Sequence, residues 1–447
     1  MAIREIHGAP DLLALHRHDP SRYPHLLESA ARAEPLGRFD ILFAFPGESL
    51  VLDGSRHLQG PHAARGFLDS LDAWMNAEYA TADDNSPHLP FHGGWFVFLS
   101  YELAGEIEPK LKLFPAGDWP LACATRFPAA VIRDHSTGKA WLASEDDRLF
   151  DVMEADLAAV ENLPDVPPFD LHDLREEDAG RYEQMVERVV RYIIDGDVFQ
   201  ANISRPWRGR IAKEVPHWAI HARLRRANPA PFAALVTWKD KAIISSSPER
   251  LVEIHGENVQ TRPIAGTRPR SGDPQKDRAL LDELIGHPKE RAEHIMLIDL
   301  ERNDLGRIAV PGSVEVSELM ALETYAHVHH IVSNVRAKRR PGTTAADVIR
   351  ATFPGGTITG CPKVRCMEII AELEQDSRVA YTGSLGYFNR DGSGDLNILI
   401  RTIMREGERI SFRAGAGIVA DSIPEREVAE TRAKARGMLL ALSGEGR

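Results

Sequence analysis

Cysteine is scarce in this chain. Cys123, Cys361 and Cys366 are the only three among 447 residues, none at zinc-ligand spacing, and an odd count fits a reducing compartment with no structural disulfide. A basic excess is lacking too. The formal net charge is -12, which argues against a nucleic-acid surface, and clusters such as Arg336 to Arg340 read as solvated loop charge. No apolar run reaches the length of a membrane span, and Met1 to Pro10 lacks the basic and apolar regions of a signal peptide. Neither a membrane nor a nucleic acid is expected as partner, and the chain reads as cytoplasmic. What is present is an ordinary globular composition, 43% hydrophobic and 27% charged, long enough for two or three domains or one large unit.

Pro164, Pro167 and Pro168, set among acidic residues, mark Leu163 to Arg175 as the best linker, dividing an N-terminal region, 1–165, from a second region, 176–447. Strands are expected at Phe39 to Phe45 and Gly93 to Leu99. Beyond the linker, Tyr182, Met185, Val186, Val189, Val190 and Ile193 recur at helical spacing, with Gly196 as a stop. Phe232 to Trp238, Ala242 to Ser247 and Leu251 to Ile254 read as a meander, a design repeated by Ala380 to Phe388, Leu396 to Met404 and Arg409 to Val419. Helices are expected at His287 to Arg302, Lys363 to Leu373 and Pro424 to Leu442, the last opened by a Ser422/Glu425 capping box. The class is mixed and largely antiparallel.

Two Glu-x-x-Glu pairs, Glu290/Glu293 and Glu427/Glu430, fall in expected helices, where residues three apart share a face. Four carboxylates presented to one space repel one another, and a hard cation such as Mg2+ is the simplest compensation. Solvated helix faces are the plainer alternative, and Glu315/Glu318 shows the same spacing with nothing to recommend it. Lys434 shares the face of Glu430. Just upstream, Ala414-Gly415-Ala416-Gly417 combines small residues that let backbone N–H groups approach an anion, or simply make a tight turn. A second glycine-rich run, Phe353 to Lys363, lacks a P-loop ending. Ser247-Pro248-Glu249-Arg250 puts a carboxylate at a hairpin turn, and His329-His330 follows a short apolar stretch; lone residues of these types are structural more often than catalytic.

In order along the chain stand Ser247-Pro248-Glu249, Arg262-Pro263-Ile264-Ala265-Gly266-Thr267, Glu290 to Glu293, Asp299 to Arg307, the glycine-rich run, Ile400-Arg401-Thr402 and Gly415 to Lys434. This order resembles the chorismate-utilising enzymes, specifically the large subunits of anthranilate synthase and aminodeoxychorismate synthase, strongly over about the last 270 residues and more weakly before. The resemblance implies an α+β fold, a large mixed, mostly antiparallel β-sandwich flanked by helices. It implies that Glu293 and Glu430, with Glu290 and Glu427 directly or through water, hold Mg2+ against the ring carboxylate of chorismate. Glu249 resembles the general acid for the departing C4 hydroxyl, with His330 nearby. Tyr381 and Arg401 match the grip on the enolpyruvyl carboxylate, completed by Lys434 and the amides of Gly415, Ala416 and Gly417. Gly266 belongs to the same substrate-binding motif. Thr267 and Thr357 are candidate hydroxyl contacts, or turn threonines.

Gln200 stands where isochorismate-forming relatives resemble one another in carrying a water-activating lysine. A glutamine is no base, which favours ammonia as nucleophile. No cysteine lies in a glutamine-amidotransferase setting, so a separate glutaminase subunit is implied. Ala265 resembles anthranilate synthases, since many aminodeoxychorismate synthases have a lysine there. Arg38 to Leu42, Leu89 to Gly94, Phe353 to Gly356 and Tyr381 to Ser384 resemble aminodeoxychorismate synthase component I, and the several outweigh the one. Leu26-Leu27-Glu28-Ser29 resembles a tryptophan-binding segment of some relatives, although an ordinary helix end is the preferred reading. A catalytically silent amino-acid-binding relative is the alternative of a different class; the full acid, metal and carboxylate-binding set speaks against it.

Overall fold

A computed structural model describes residues 1–31, 37–81, 89–160, 162–238, 240–271, 273–324 and 328–443. Among these the strands form two sheets, of twelve and eleven strands. His25–Glu28 pairs antiparallel with Phe39–Ala44 and with Phe232–Trp238, and Gly94–Leu99 pairs antiparallel with Ser384–Asn389. Segments from both sides of the Pro-rich stretch therefore share both sheets.

The sheets pack face to face. Ile41, Phe43 and Ile243 of one meet Phe96, Phe98 and Leu396 of the other in one buried cluster. On the outer face of the first sheet, Leu42, Val131, Ile244 and Phe412 are covered by Leu13, Phe150, Leu224 and Met438 from four helices. Successive strand residues point to opposite faces, and here both faces are buried, so Ile41 to Ala44 reads as a continuous apolar run rather than an alternating one. This is the expected α+β sandwich flanked by helices.

Several local expectations need correction. The meander does not continue past Ser247: Lys241–Ser247 pairs in the first sheet, whereas Arg250–His255 pairs in the second. Pro248, lacking an N–H, cannot extend the ladder, so Glu249 sits at a crossover between sheets and not at a hairpin turn. Leu396 to Met404 likewise divides into Gly394–Asn397 in the second sheet and Thr402–Glu406 in the first. Arg401, at φ 51, turns the chain between them, and Thr382, at φ 61, delays the preceding strand to Ser384.

Leu26 to Glu28 is strand, not a helix end. The Ser422/Glu425 capping box is absent: Ser422 Oγ accepts the Val419 amide, and the Ile423 carbonyl takes the first helical bonds. Pro424, pre-set for a first helical position, fixes that start. Glu315/Glu318 lies on the strand Glu315–Thr324, the two residues paired with Arg336 and Arg262 respectively. No helix among the described residues is long and apolar enough to cross a membrane.

Candidate active site

The two breaks between sheets bring together residues remote in sequence. Glu249, 6% exposed, accepts a hydrogen bond from Thr357 Oγ1 at 2.7 Å, and its carbonyl takes the Ile398 amide. Burial raises its carboxyl to about 7, against the opposing pull of the Thr357 hydrogen bond and of the Lys434 and Arg401 charges. That displacement is worth about 3 kcal/mol in favour of the neutral acid. The left-handed turn at Arg401 brings a partly buried guanidinium, its pKa lowered by desolvation, to the same space. His330 is held neutral by burial and by the Arg401 charge, its pKa lowered to about 3, and its Nδ1 lies 3.3 Å from the Gly266 carbonyl.

The helices Pro288–Gly306 and Pro424–Ser443 supply the paired carboxylates. Burial raises the pKa of Glu293, reinforced by Glu290 and then Glu430 and opposed by Lys434, which places three of the four glutamates around one space. Glu427 and Glu430 both act on the buried Tyr182 ring. Glu290 pairs with Arg268 at 3.2 Å, and Glu430 with Lys434 at 2.8 Å. Among the described residues no three His, Cys, Asp or Glu side chains already converge as a ligand shell. The donor set nevertheless suits a hard cation, being all carboxylate oxygen, and the crowding that destabilises ionised Glu293 is what a divalent ion relieves.

Gly415 and Gly417 matter for space and for direction. Asn202, Ile203 and Ser204 face Gly417, Ala416 and Gly415 across an antiparallel ladder. The Asn202 and Ser204 amides are spent on Thr359 and Glu374 instead. Antiparallel pairs alternate between bonded and non-bonded, so Ala416 bonds Ile203 while Gly415 and Gly417 turn their N–H groups off the ladder. Lys434 Nζ reaches the Gly415 carbonyl there, at 3.0 Å. A Cβ on Gly417 would stand 2.1 Å from Gln200 Nε2, and one on Gly415 2.6 Å from the Tyr381 hydroxyl and 2.9 Å from Asn202 Oδ1. The glycines make room for two carboxamides and a phenol.

Tyr381 is buried, its hydroxyl raised to about 12 by desolvation, and its ring lies 5.4 Å from the Arg378 guanidinium. Gln200 Nε2 donates to Glu293 Oε1 at 3.3 Å, leaving Gln200 Oε1 buried without a donor; Asn202 Oδ1 is likewise buried and unpartnered. Each such oxygen costs about 1–3 kcal/mol, a deficit that a bound donor removes.

Ala265 packs with Leu297, Leu300, Met296 and Cys361. Gly266, at φ 63, forms a bulge in the strand Ile264–Pro269, where an added Cβ would meet Glu290 Oε2 at 2.9 Å. Thr267 stands opposite His330 in the ladder; its side chain lies outside the described residues.

Chorismate binding enzymes match this chain over residues 33–440. The chain belongs to the chorismate-binding enzyme family. It is 43% identical over 430 residues to an anthranilate synthase component I-like protein of Synechocystis, covering 94% of this chain and 86% of that protein. Identity to aminodeoxychorismate synthase component 1 of Bacillus subtilis is also 43%, over 390 residues, covering 84% and 82%. Anthranilate synthase component I from Streptococcus pneumoniae superposes with a TM-score of 0.79 at 31% identity, covering 91% of this chain and 93% of that one.

Within this family member, two residues near the site escaped notice in the sequence. Asn202 was signalled by the alternation Gln200, Asn202, Ser204 on one strand face. Glu301 is buried beside Asp304, its pKa raised by desolvation and then by Asp304; nothing in its local sequence separates it from a solvated helix residue. Apart from the carboxylates, Leu27, Glu28 and Ser29 line a cavity of about 620 Å³ together with Phe232, Tyr387 and Asn397.

Proposed function

We propose that the chain is the synthase component of aminodeoxychorismate synthase, converting chorismate and ammonia to 4-amino-4-deoxychorismate, the precursor of p-aminobenzoate for folate. The observation that carries a chorismate-aminating reading is Glu249: a buried carboxyl whose pKa is raised to about 7, so that it is still substantially protonated at physiological pH, between a hydroxyl donor and two cations. Such a group donates a proton to a departing hydroxyl at physiological pH.

Glu293 and Glu430, with Glu290 and Glu427, would hold Mg2+. When bound, the ion screens the ring carboxylate of the substrate as a Lewis acid. Arg401 and Tyr381 grip the enolpyruvyl carboxylate, Arg401 with a guanidinium suited to bidentate pairing. The Gly415 and Gly417 amides and Lys434 complete the anion cradle, and Thr357 fixes the Glu249 carboxyl.

Ammonia adds at C2, the ring double bonds shift, and the C4–O bond breaks as Glu249 gives its proton to the leaving hydroxyl, which departs as water. The intermediate, 2-amino-2-deoxyisochorismate, is not bonded to the protein, because Ala265 offers no nucleophile. A second ammonia attacks C4 and expels the C2 amine. A separate glutamine amidotransferase subunit would supply the ammonia.

The Bacillus subtilis relative and the motifs at Arg38 to Leu42, Leu89 to Gly94 and Tyr381 to Ser384 support this product. Ala265 favours a second reading, anthranilate synthase component I, which shares the first half and then eliminates pyruvate. Purified chain given chorismate, Mg2+ and ammonium, with and without a lyase that releases p-aminobenzoate, decides between them. p-Aminobenzoate formed only with the lyase supports the proposal; anthranilate in both arms and no p-aminobenzoate overturns it. The cavity at Leu27 to Ser29 is where tryptophan, the ligand suggested by that segment, would sit; a calorimetric titration showing no heat would remove it.

A further inference from the structure

We infer that Glu102 is a positioning residue for Tyr381: together with Arg378 it clamps the strained turn that holds the phenol in the site, an inference that rests on the substrate grip assigned above to Tyr381 and Arg401. Tyr381 is bracketed by two β-branched residues in left-handed backbone, Val379 at φ 50 and Thr382 at φ 61. Side chains branched at Cβ rarely adopt that conformation, and it persists only where the surroundings over-determine it. Here they do. Glu102, 2% exposed, accepts the Arg378 amide at 2.7 Å and the Val379 amide at 3.1 Å, and the Tyr101 amide donates to the Val379 carbonyl at 2.9 Å. Both polar groups of the Val379 backbone are therefore held by one short turn, Tyr101–Leu103, which lies on the other side of the Pro-rich stretch in sequence.

Arg378 closes the clamp from the opposite end. Its buried guanidinium donates to Thr382 Oγ1 at 3.2 Å, to the Asn202 carbonyl at 2.7 Å and to Glu374 Oε2 at 3.0 Å, and lies 4.9 Å from the Tyr101 ring and 5.4 Å from that of Tyr381. The Thr382 amide donates to the Leu399 carbonyl at 2.7 Å, and the Leu399 amide to the Gly383 carbonyl at 2.9 Å. The turn that carries Tyr381 is thus bonded to the segment leading into Arg401, which is itself left-handed, so both members of the grip share one frame. The phenol has little room: its hydroxyl lies 2.6 Å from where a Cβ on Gly415 would stand, and a small shift of the turn moves it out of the cradle or into the strand. A carboxylate suits position 102 because both amides need an acceptor; a glutamine would leave its NH2 group, a donor, facing one of them. Burial raises the Glu102 pKa, opposed by the amide donors and then by the Arg378 charge.

The test is a double-mutant cycle on the purified full chain, with chorismate binding measured by calorimetry in the presence of Mg2+ and without ammonium, and with the melting temperature of each variant recorded. Tyr381→Phe removes the hydroxyl from the grip and is expected to weaken binding about tenfold. Glu102→Gln is expected to weaken binding by about the same factor in the wild-type background and by less than about twofold in Tyr381→Phe, because a displaced phenol and an absent hydroxyl lose the same contact. A general loss of stability lowers the melting temperature in both backgrounds without producing that coupling. Glu102→Asp, which keeps the charge but is one methylene short, is expected to fall between, and decides if the glutamine variant does not fold. A Glu102 effect equal in both backgrounds, or absent from both, overturns the clamp, while weakened binding in Tyr381→Phe leaves the grip standing; failure of both Glu102 variants to fold makes the residue structural and overturns the clamp as well. Tyr381→Phe binding as tightly as wild type, or a wild-type chain that binds no chorismate, overturns the grip and the clamp with it.

Discussion

Glutamates occupy two contrasting environments in this molecule. Glu430 is 48% exposed on a helix face, paired with Lys434 four residues away, in a group whose members repel one another and invite a cation. Glu249 is 6% exposed at a crossover between sheets, its pKa raised to about 7, with one hydroxyl donor. On the proposed reading the same side chain would be a metal ligand in one place and a proton donor in the other, and what separates the two environments is desolvation and the neighbouring charge. Number of carboxylates alone says nothing about role; Glu315 and Glu318, at the same spacing, are strand residues held by arginines.

That contrast can be broken at either side. The largest effect is expected from the exposed group: chelation of divalent ions should abolish turnover, added Mg2+ should restore it, and Glu430→Ala should raise the Mg2+ needed for half-maximal rate at least about tenfold. Turnover insensitive to both treatments would remove the metal from the account. Glu249→Gln should then lower kcat by roughly 100- to 10,000-fold with Mg2+ dependence intact.

The protonated carboxyl is the working form, so wild-type kcat/KM should fall as pH rises through about 7, and the glutamine variant should lose that limb. A limb that persists in Glu249→Gln belongs to another group. A smaller change is expected at the substrate grip: Arg401→Lys replaces a bidentate partner by a point charge and should raise the chorismate KM roughly 10-fold. Smallest is Thr357→Val. The Thr357 hydrogen bond lowers the Glu249 pKa, so its removal should move the limb to higher pH, by less than one unit on the order of a single hydrogen bond. A shift to lower pH would show that Thr357 stabilises the neutral acid instead.

Part of the frame was legible: Phe39–Ala44 and Gly94–Leu99, read as short apolar runs bounded by turn residues, and the helices Pro288–Gly306 and Pro424–Ser443 fall where the sequence places them. The crossovers were not. Nothing local to Ser247-Pro248-Glu249 or to Ile400-Arg401 tells a change of sheet from a hairpin, because the decision lies in which distant strand offers a pairing edge. Those are the places that carry Glu249 and Arg401. The resemblance located them without giving a physical cause, which is the burial and the left-handed turn. Helix spacing placed Glu290 with Glu293 and Glu427 with Glu430, but only the tertiary packing brings Glu430 toward Glu293. Gln200 was visible in the sequence, but its unpartnered side-chain oxygen was not, because that is a property of the surroundings.

Amination of chorismate at C4 without a protein nucleophile can be tested in one single-turnover measurement. Enzyme, chorismate, Mg2+ and 15N-ammonium are mixed, quenched and examined by mass spectrometry for both small molecules and intact chain. The expected product is 4-amino-4-deoxychorismate carrying one 15N, with the mass of the chain unchanged. Anthranilate as the sole labelled product, or a chain carrying a covalent chorismate-derived adduct, would contradict it.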